Sequence, residues 1–566
     1  MNFFNFITKI LLYTFIFIGI CNSSFAKTNN FNYDAKNISN YFSGLVSFDN
    51  FEYEDSREFL KKIQGLENTN KNYSSKYIQS LVNLEKYREA YLYSKRLDTR
   101  NMGNFESNLI LGLFEFKKKN FEKAEKYFSQ LDLNYENQLI FDILKKSTLI
   151  WAEIGKSNAN SANTIEKIPS EYENFKTIQT IFFNCHFDKP QTFELFQNAI
   201  NDDKSDFSRY NFFLANYLLN QNNIYEAKKY INLSVKKYPN NLLINQFKLT
   251  IDNATASKNM FNCKNQNHIL AEIIYVIANA LSSTSNYKLS NFYTNLSKYL
   301  NPDFSSFNSL LAQNFLVLKK YEKSKSVYKK LSNIGDIYRW YSSRQIADIL
   351  RVQKKTKESI NFLENVYNDI SPNVYQSFSY ANFLKDNKKY TQSIELYSEI
   401  LSKITKSHSL YPKILDRRGT AYERSDNWTL AEKDLLLSLK ISPNEPYVMN
   451  YLAYTWIERG ENTKKALRML KQANNLKKGD GYITDSLGWA FFKLNNFQES
   501  KKYLQLAVTL MPNDPVVNDH FADCLWKNNK KIQARYYWKY VLSLEDVETE
   551  LKEKIQNKLL LGLDKT

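Results

Sequence analysis

The sequence contains few of the residues that interrupt or crosslink a polypeptide. Its 566 residues include only 13 glycines, 10 prolines and 4 cysteines. No stretch rich in proline, glycine and serine divides the chain, so the composition gives no sign of domains joined by flexible linkers.

The cysteines do not form a recognisable pattern. Cys21 lies in the N-terminal apolar segment, and Cys185, Cys263 and Cys524 are far apart and odd in number. No disulfide framework or CxxC metal pattern is present, and we interpret the three as buried structural thiols.

Signatures of catalysis are also missing. The sequence has no phosphate-binding glycine loop, no HExxH and no G-x-S-x-G motif. The four histidines are isolated, and His520 beside Asp519 is better explained by helix packing or a groove role than by acid–base chemistry. We therefore predict no catalytic residue, no cofactor and no metal site, and a protein that is not an enzyme.

A net charge of +18 is typical of proteins that bind nucleic acid or an anionic membrane. However, the lysines are scattered on polar helix faces, as in "KKKNFEKAEKY", without a stripe of arginines and aromatics. We interpret the charge as an aid to solubility and predict no nucleic-acid partner.

The N-terminus has the pattern of a secretory signal peptide. Lys9 precedes an apolar run over Ile10–Ile20, and small residues at Ser24 and Ala26 predict cleavage after Ala26. The predicted location is the periplasm. An uncleaved helix that anchors a periplasm-facing chain in the inner membrane is the alternative, and it is the one route to membrane contact.

A repeating unit of about 34 residues fills most of the remaining chain. Gly488 lies beside the apolar face of a predicted helix, and small residues recur at the same position in Ala522, Ala453 and Gly419. A large residue follows three positions later and another small residue about twelve positions later. Pro512 ends the second predicted helix of the Gly488 unit. The anchor can be traced back through Ala381, Ala347, Ala312, Ala278, Ala215, Gly112, Ile78 and Gly44.

This pattern resembles the tetratricopeptide repeat, whose period is 34 residues. The resemblance is specific over 410–545 and weak before residue 210. It implies an all-α solenoid, a right-handed superhelix of stacked antiparallel helix hairpins with a concave groove. We expect a signal peptide at 1–26, a degenerate N-terminal solenoid at 27–240, a middle solenoid at 241–410, and well-formed repeats with a terminal capping helix at 411–566.

In this family, the first helix of each pair lines the groove with the positions −6, −3, +1 and +4 from the anchor. We call these the groove positions. In the C-terminal repeats they carry aromatic and acidic side chains that fit a partner with lysine, arginine or backbone donors. The alternative is that the terminal helix near 545–561 or neighbouring repeats cover the aromatics. The predicted partner-binding residues are Asn450, Tyr454, Tyr482, Asp485, Trp489, Phe492, Asp519, Asp523 and Trp526.

The C-terminal block is similar to large exported tetratricopeptide proteins of the alphaproteobacterial type. The resemblance implies a non-catalytic scaffold of the cell envelope that holds partner proteins or peptides in its groove. The alternative is a solenoid that binds glycan or peptidoglycan through stacked aromatics and assists an envelope enzyme. It requires Trp489 and Trp526 to face one groove without an apolar lid.

Overall fold

A computed structural model describes residues 34–131, 138–156, 162–166, 168–202, 204–253, 260–545 and 547–563. The predicted signal peptide lies outside these ranges. Over the described ranges the chain is helical and contains no strand, which confirms the predicted all-α solenoid. No helix in the described ranges is long and apolar enough to cross a membrane.

The chain forms two compact units, unit 1 up to Val366 and unit 2 from Tyr367 onward. This division coincides with neither of the internal boundaries predicted at 240 and 410. The helices of unit 1 are α1 (Ala35–Asp49), α2 (Tyr53–Lys61), α3 (Lys71–Asn83), α4 (Tyr87–Thr99), α5 (Phe105–Lys117), α6 (Phe121–Ser129), α7 (Gln138–Lys156), α8 (Ala162–Ile165), α9 (Glu173–His186), α10 (Thr192–Ile200), α11 (Tyr210–Asn220), α12 (Ile224–Lys237), α13 (Leu242–Asp252), α14 (Gln266–Ser283), α15 (Tyr287–Leu300), α16 (Asn308–Val317), α17 (Tyr321–Leu331) and α18 (Asp336–Val352), followed by α19 (Thr356–Asp369), which contains the boundary.

Unit 2 continues the same alternation of first and second helices. Its helices are α20 (Val374–Asp386), α21 (Tyr390–Lys403), α22 (Tyr411–Glu423), α23 (Trp428–Ile441), α24 (Pro446–Arg459), α25 (Thr463–Leu476), α26 (Gly481–Lys493), α27 (Phe497–Leu510), α28 (Pro515–Lys527), α29 (Lys531–Ser543) and α30 (Thr549–Leu561).

The hairpin of α26 and α27 shows how the sequence specifies the repeat. The Asp480 side chain caps α26 by accepting a hydrogen bond from the Ile483 amide at 3.1 Å. A methyl group on Gly488 would lie 2.7 Å from Leu504 Cγ and 3.0 Å from the Leu504 backbone nitrogen. The glycine therefore allows the close approach of α27 that the sequence predicts.

The turn between paired helices recurs with the repeat. Asn495, between α26 and α27, has a φ of +59° in the left-handed region that asparagine tolerates better than most residues. Residues with the same backbone conformation occupy the corresponding turns: Glu85, Lys119, Asn222, Ser285, Lys319, Lys354, Lys388, Asp426 and Asn529. Their regular recurrence shows that the repeat extends into the N-terminal part, where the side-chain pattern is weak.

Unit 1 packs its later helices against its own first repeats. Helix α15 contacts α3, and α14 contacts α7. Tyr87 Oη donates to the Asn295 carbonyl oxygen at 2.9 Å, and Phe114 stacks on Tyr299 with ring centres 4.7 Å apart. Lys298 Nζ pairs with Glu85 at 2.6 Å. Later helices of unit 1 therefore cover part of the surface of its first repeats.

The interpretation of the cysteines as free thiols is wrong for two of them. Cys185 at the end of α9 and Cys263 form a disulfide, with Cα atoms 5.9 Å apart and a separation of 78 positions in sequence. Helix α9 packs on α14, which begins just after Cys263, and spacing along the chain gave no sign of this approach. Cys524 is a free buried thiol.

Candidate functional site

The predicted groove residues lie on α24, α26 and α28, the first helices of three successive pairs in unit 2. Tyr482 is 58% exposed, whereas Asp485, Trp489, Asp519, Asp523 and Trp526 are buried. Asn450, Tyr454 and Phe492 are half-buried. The structure thus brings the nine residues onto adjacent helices but leaves few of them accessible. Binding of a partner to them stays a prediction.

Trp489 is buried and stacks on two neighbouring rings. It stacks on Phe492 with ring centres 4.7 Å apart and on His520 at 3.9 Å, nearly parallel in both cases. Its Nε1 donates to Glu458 Oε1 at 2.5 Å. Its side chain is therefore used to join α24, α26 and α28.

His520 pairs with a carboxylate of the preceding repeat and not with its sequence neighbour Asp519. The His520 Nδ1 atom lies 2.9 Å from Asp485 Oδ2, and both side chains are buried. Burial acts to lower the pKa of His520, but the charge and hydrogen bond of Asp485 outweigh it and raise the pKa. The result is a buried ion pair between α26 and α28.

The terminal helix α30 supplies a lysine to the groove positions of α28. Lys558 Nζ lies 2.8 Å from both Asp519 Oδ2 and Asp523 Oδ2, and its side chain is only 11% exposed. Burial and the neighbouring Asp519 raise the pKa of Asp523 to about 6, although Lys558 opposes this shift. Trp538 Nε1 also donates to Asp523 Oδ1 at 3.0 Å. These two carboxylates are thus already engaged within the chain.

Trp526 lies beneath the end of the same helix. A methyl group on Gly562 would fall 2.5 Å from Trp526 Cζ2, and the Trp538 ring centre is 5.3 Å away. The Arg535 guanidinium lies 5.5 Å from the Trp526 ring centre and also donates to the Leu559 carbonyl oxygen. In the last repeat, the terminal helix therefore covers the groove tryptophan, which is the alternative that the sequence left open.

The accessible part of the groove lies further upstream. Tyr447 and Tyr482 occupy the −6 position of α24 and α26 and are more than half exposed. Asp416 occupies the −3 position of α22, and its Oδ2 lies 3.6 Å from Arg417 Nε, too far for a hydrogen bond. Burial raises the pKa of Asp416 despite the opposing charge of Arg417. The Asp416 side chain is 16% exposed, and no hydrogen bond among the described residues engages its carboxylate.

Sequence reasoning missed Lys558, Glu458 and Asp416. Lys558 belongs to a helix outside the repeat pattern, so no periodicity assigned its side chain. Asp416 occupies the same −3 position as Asp485 and Asp519, so the groove pattern applied to the Gly419 repeat predicts it. In the described ranges, no cluster of three histidine, cysteine or acidic side chains is arranged to hold a metal ion.

Comparison with known proteins agrees with this architecture. A family model described as Tetratricopeptide repeat matches residues 486–514, which cover most of the α26–α27 hairpin. The chain therefore contains the tetratricopeptide repeat that its sequence predicts. Tetratricopeptide repeat proteins generally act as non-catalytic scaffolds that bind other proteins.

The curated relatives that match this chain are distant. It is 24% identical over 270 residues to the anaphase-promoting complex subunit CDC16 of Saccharomyces cerevisiae, a match over 47% of this chain and 29% of that protein. It is 27% identical over 109 residues to the TPR repeat-containing protein PA4667 of Pseudomonas aeruginosa, over 19% of this chain and 18% of that protein. The matches thus span less than a third of either curated relative. A solved tetratricopeptide repeat protein from Parabacteroides merdae shares 13% identity at a TM-score of 0.37, over 44% of this chain and 97% of that one.

Proposed function

We propose that the protein is a non-catalytic scaffold of the cell envelope that holds a basic helical or extended segment of a partner protein against the groove positions of unit 2. The accessible surface runs over α22, α24 and α26. We call it the upstream groove and define it by Asp416, Tyr447, Asn450, Tyr454 and Tyr482.

The observation that carries the proposal is the way α30 docks on α28. A helix lies across the groove positions of the last repeat and places Lys558 between Asp519 and Asp523. The chain thereby contains one example of a lysine-bearing helix bound to acidic groove positions. A charged pair formed in such a partly buried site contributes more than a pair on an open surface.

The upstream groove offers similar chemistry, and among the described residues of unit 2 no helix outside the repeats supplies a lysine to it as α30 does to α28. Asp416 stands at the same register as Asp519, and Tyr447 and Tyr482 present rings to solvent. The Asn450 side-chain oxygen is buried without a hydrogen-bond donor among the described residues. Carboxylate, amide oxygen and tyrosine rings together favour a segment with lysine or arginine and backbone donors.

The proposed location is the periplasm, and the Cys185–Cys263 disulfide supports it. Disulfides persist in oxidising compartments and are rare in a reducing cytosol. This agrees with the signal peptide predicted at 1–26, with an uncleaved anchor as the alternative.

The glycan-binding alternative depends on open aromatic platforms. Trp489 is only 9% exposed and stacks on Phe492 and His520, and Trp526 is only 8% exposed beside Trp538. Neither ring is available to stack on a sugar, so the protein-binding proposal is better supported.

The test is a pull-down from envelope extract with the full chain as bait. Asp416→Asn and Tyr482→Ala alter the upstream groove, and Tyr536→Ala is the matched control because Tyr536 is 67% exposed on the second helix α29. Circular dichroism verifies the fold of each variant. We expect the same discrete protein with wild type and the control, and its loss from both groove variants. Equal recovery by all three variants would contradict the proposal.

A further inference from the structure

Unit 1 contains a cavity where its first repeats meet its own helix α15. The volume is about 230 Å³, below the 300–1,000 Å³ typical of drug-sized ligand sites. Its wall includes Ser75 and Gln79, which are the −3 and +1 groove positions of the Ile78 repeat, and Glu106, the −6 position of the Gly112 repeat. The cavity is therefore the part of the unit 1 groove that α15 does not fill.

Glu106 is the unusual member of this wall. The residue is 3% exposed, and its Oε1 accepts a hydrogen bond from Gln79 Nε2 at 2.9 Å. Its Oε2 is buried with no hydrogen-bond donor among the described residues. A buried carboxylate oxygen without a donor is costly, so the site favours a ligand that donates one, best a positively charged N–H group.

A positive group stands on the same wall. Lys76 is half-buried, and its Nζ lies 4.6 Å from the centre of the Phe48 ring without a carboxylate at ion-pair distance in the described ranges. Burial lowers its pKa, while the more distant charges of Glu106 and Asp49 oppose this shift. Lys288 also lines the cavity, but it is paired with Asp49 at 2.5 Å. Of these two lysines, Lys76 is therefore the one whose ammonium can pair with an anionic group of a ligand.

The remaining wall is aromatic. Phe105 and Phe141 meet edge to face at 5.2 Å, and Tyr293 of α15 lies 6.4 Å from Phe141. A donor-seeking carboxylate, an ammonium and an apolar wall around one small cavity match the three parts of a zwitterion with an apolar side chain.

We propose that this cavity binds a free apolar α-amino acid. Its ammonium group donates to Glu106 Oε2, its carboxylate faces Lys76, and its side chain lies against Phe105 and Phe141. This site is separate from the upstream groove and does not depend on the function proposed for unit 2.

The test is isothermal titration calorimetry of the full chain with L-alanine, L-valine, L-leucine and L-phenylalanine in turn. For the amino acid that binds best, the N-acetyl derivative lacks the ammonium and the amide derivative lacks the carboxylate. We expect each blocked derivative to bind at least about tenfold more weakly, because each loses one charge-assisted hydrogen bond. Glu106→Gln should weaken binding by a similar factor.

Glu115→Gln is the matched control. Glu115 is a second buried carboxylate of α5, and its oxygens accept from Tyr91 Oη at 3.4 Å and Asn120 Nδ2 at 2.9 Å. It should leave the affinity within about twofold, since the residue lies outside the cavity. The proposal is overturned if none of the four amino acids gives a saturable heat, if blocked and free forms bind equally, or if the two glutamate variants have the same effect.

Discussion

Replacing Lys558 by methionine should weaken the packing of the terminal helix α30 on α28. The substitution keeps the apolar stem and removes the ammonium that lies 2.8 Å from both Asp519 Oδ2 and Asp523 Oδ2. Breaking a buried ion pair by removing one partner typically costs about 3–5 kcal/mol, because the other charge stays buried and unpaired. Here two carboxylates would be left, each with a side chain no more than 10% exposed.

Hydrogen exchange measures this effect locally, which matters because a solenoid does not unfold in one step. Since 1.4 kcal/mol corresponds to a factor of ten, the amides of α30 should exchange roughly 100- to 4,000-fold faster, up to the limit set by the fully released helix. Lys554→Met is the control, because Lys554 is 64% exposed and pairs with Glu550, which is 79% exposed. That variant should change exchange by less than about threefold. Equal exchange of α30 in the two variants would refute the reasoning.

Three further predictions concern stability. The pKa of His520 is raised in the folded state, so its pairing with Asp485 stabilises the fold fully below the reference pKa of 6.5. This stability is lost as the pH rises through the higher folded pKa. Asp485→Asn should therefore flatten the pH dependence of urea unfolding over that window. Reduction of the disulfide, or serine at both Cys185 and Cys263, should destabilise unit 1 by about 4 kcal/mol for a loop of this length, seen as a lower Tm that reductant no longer changes in the serine variant. Gly488→Ala should lower the Tm, because the added methyl group would overpack the contact with α27. Overpacking costs about 1–3 kcal/mol, whereas alanine in place of glycine stabilises a helix by roughly 1 kcal/mol. A higher Tm would contradict the close contact.

The repeat could be predicted from sequence because each hairpin is specified locally. Gly488 marks the helix contact, Asn495 takes the left-handed turn, and Pro512 follows the end of α27. The same local rules place the groove positions on the correct helices. The disulfide could not be predicted in this way, because Cys185 and Cys263 meet only through packing between helices distant in sequence.

The local sequence pattern also could not predict which side chains pack against the groove positions of each unit. Helix α30 carries no repeat pattern, so nothing in the sequence assigned Lys558 to Asp519 and Asp523. In unit 1, the contacts of α15 with the first repeats join residues about 200 positions apart, as between Tyr87 and Asn295. Positions exposed in an isolated repeat thus became buried once later helices packed on them.

The most direct test of the account is site-specific photo-crosslinking in cells. A photoreactive phenylalanine analogue replaces Tyr447 or Tyr482 in the upstream groove, and Tyr225 or Tyr536 on second helices, which are more exposed, serves as a control. If the upstream groove holds a partner, one discrete protein should crosslink at both groove positions and at neither control. Crosslinks to the same proteins from all four positions, or from the controls alone, would contradict the central claim.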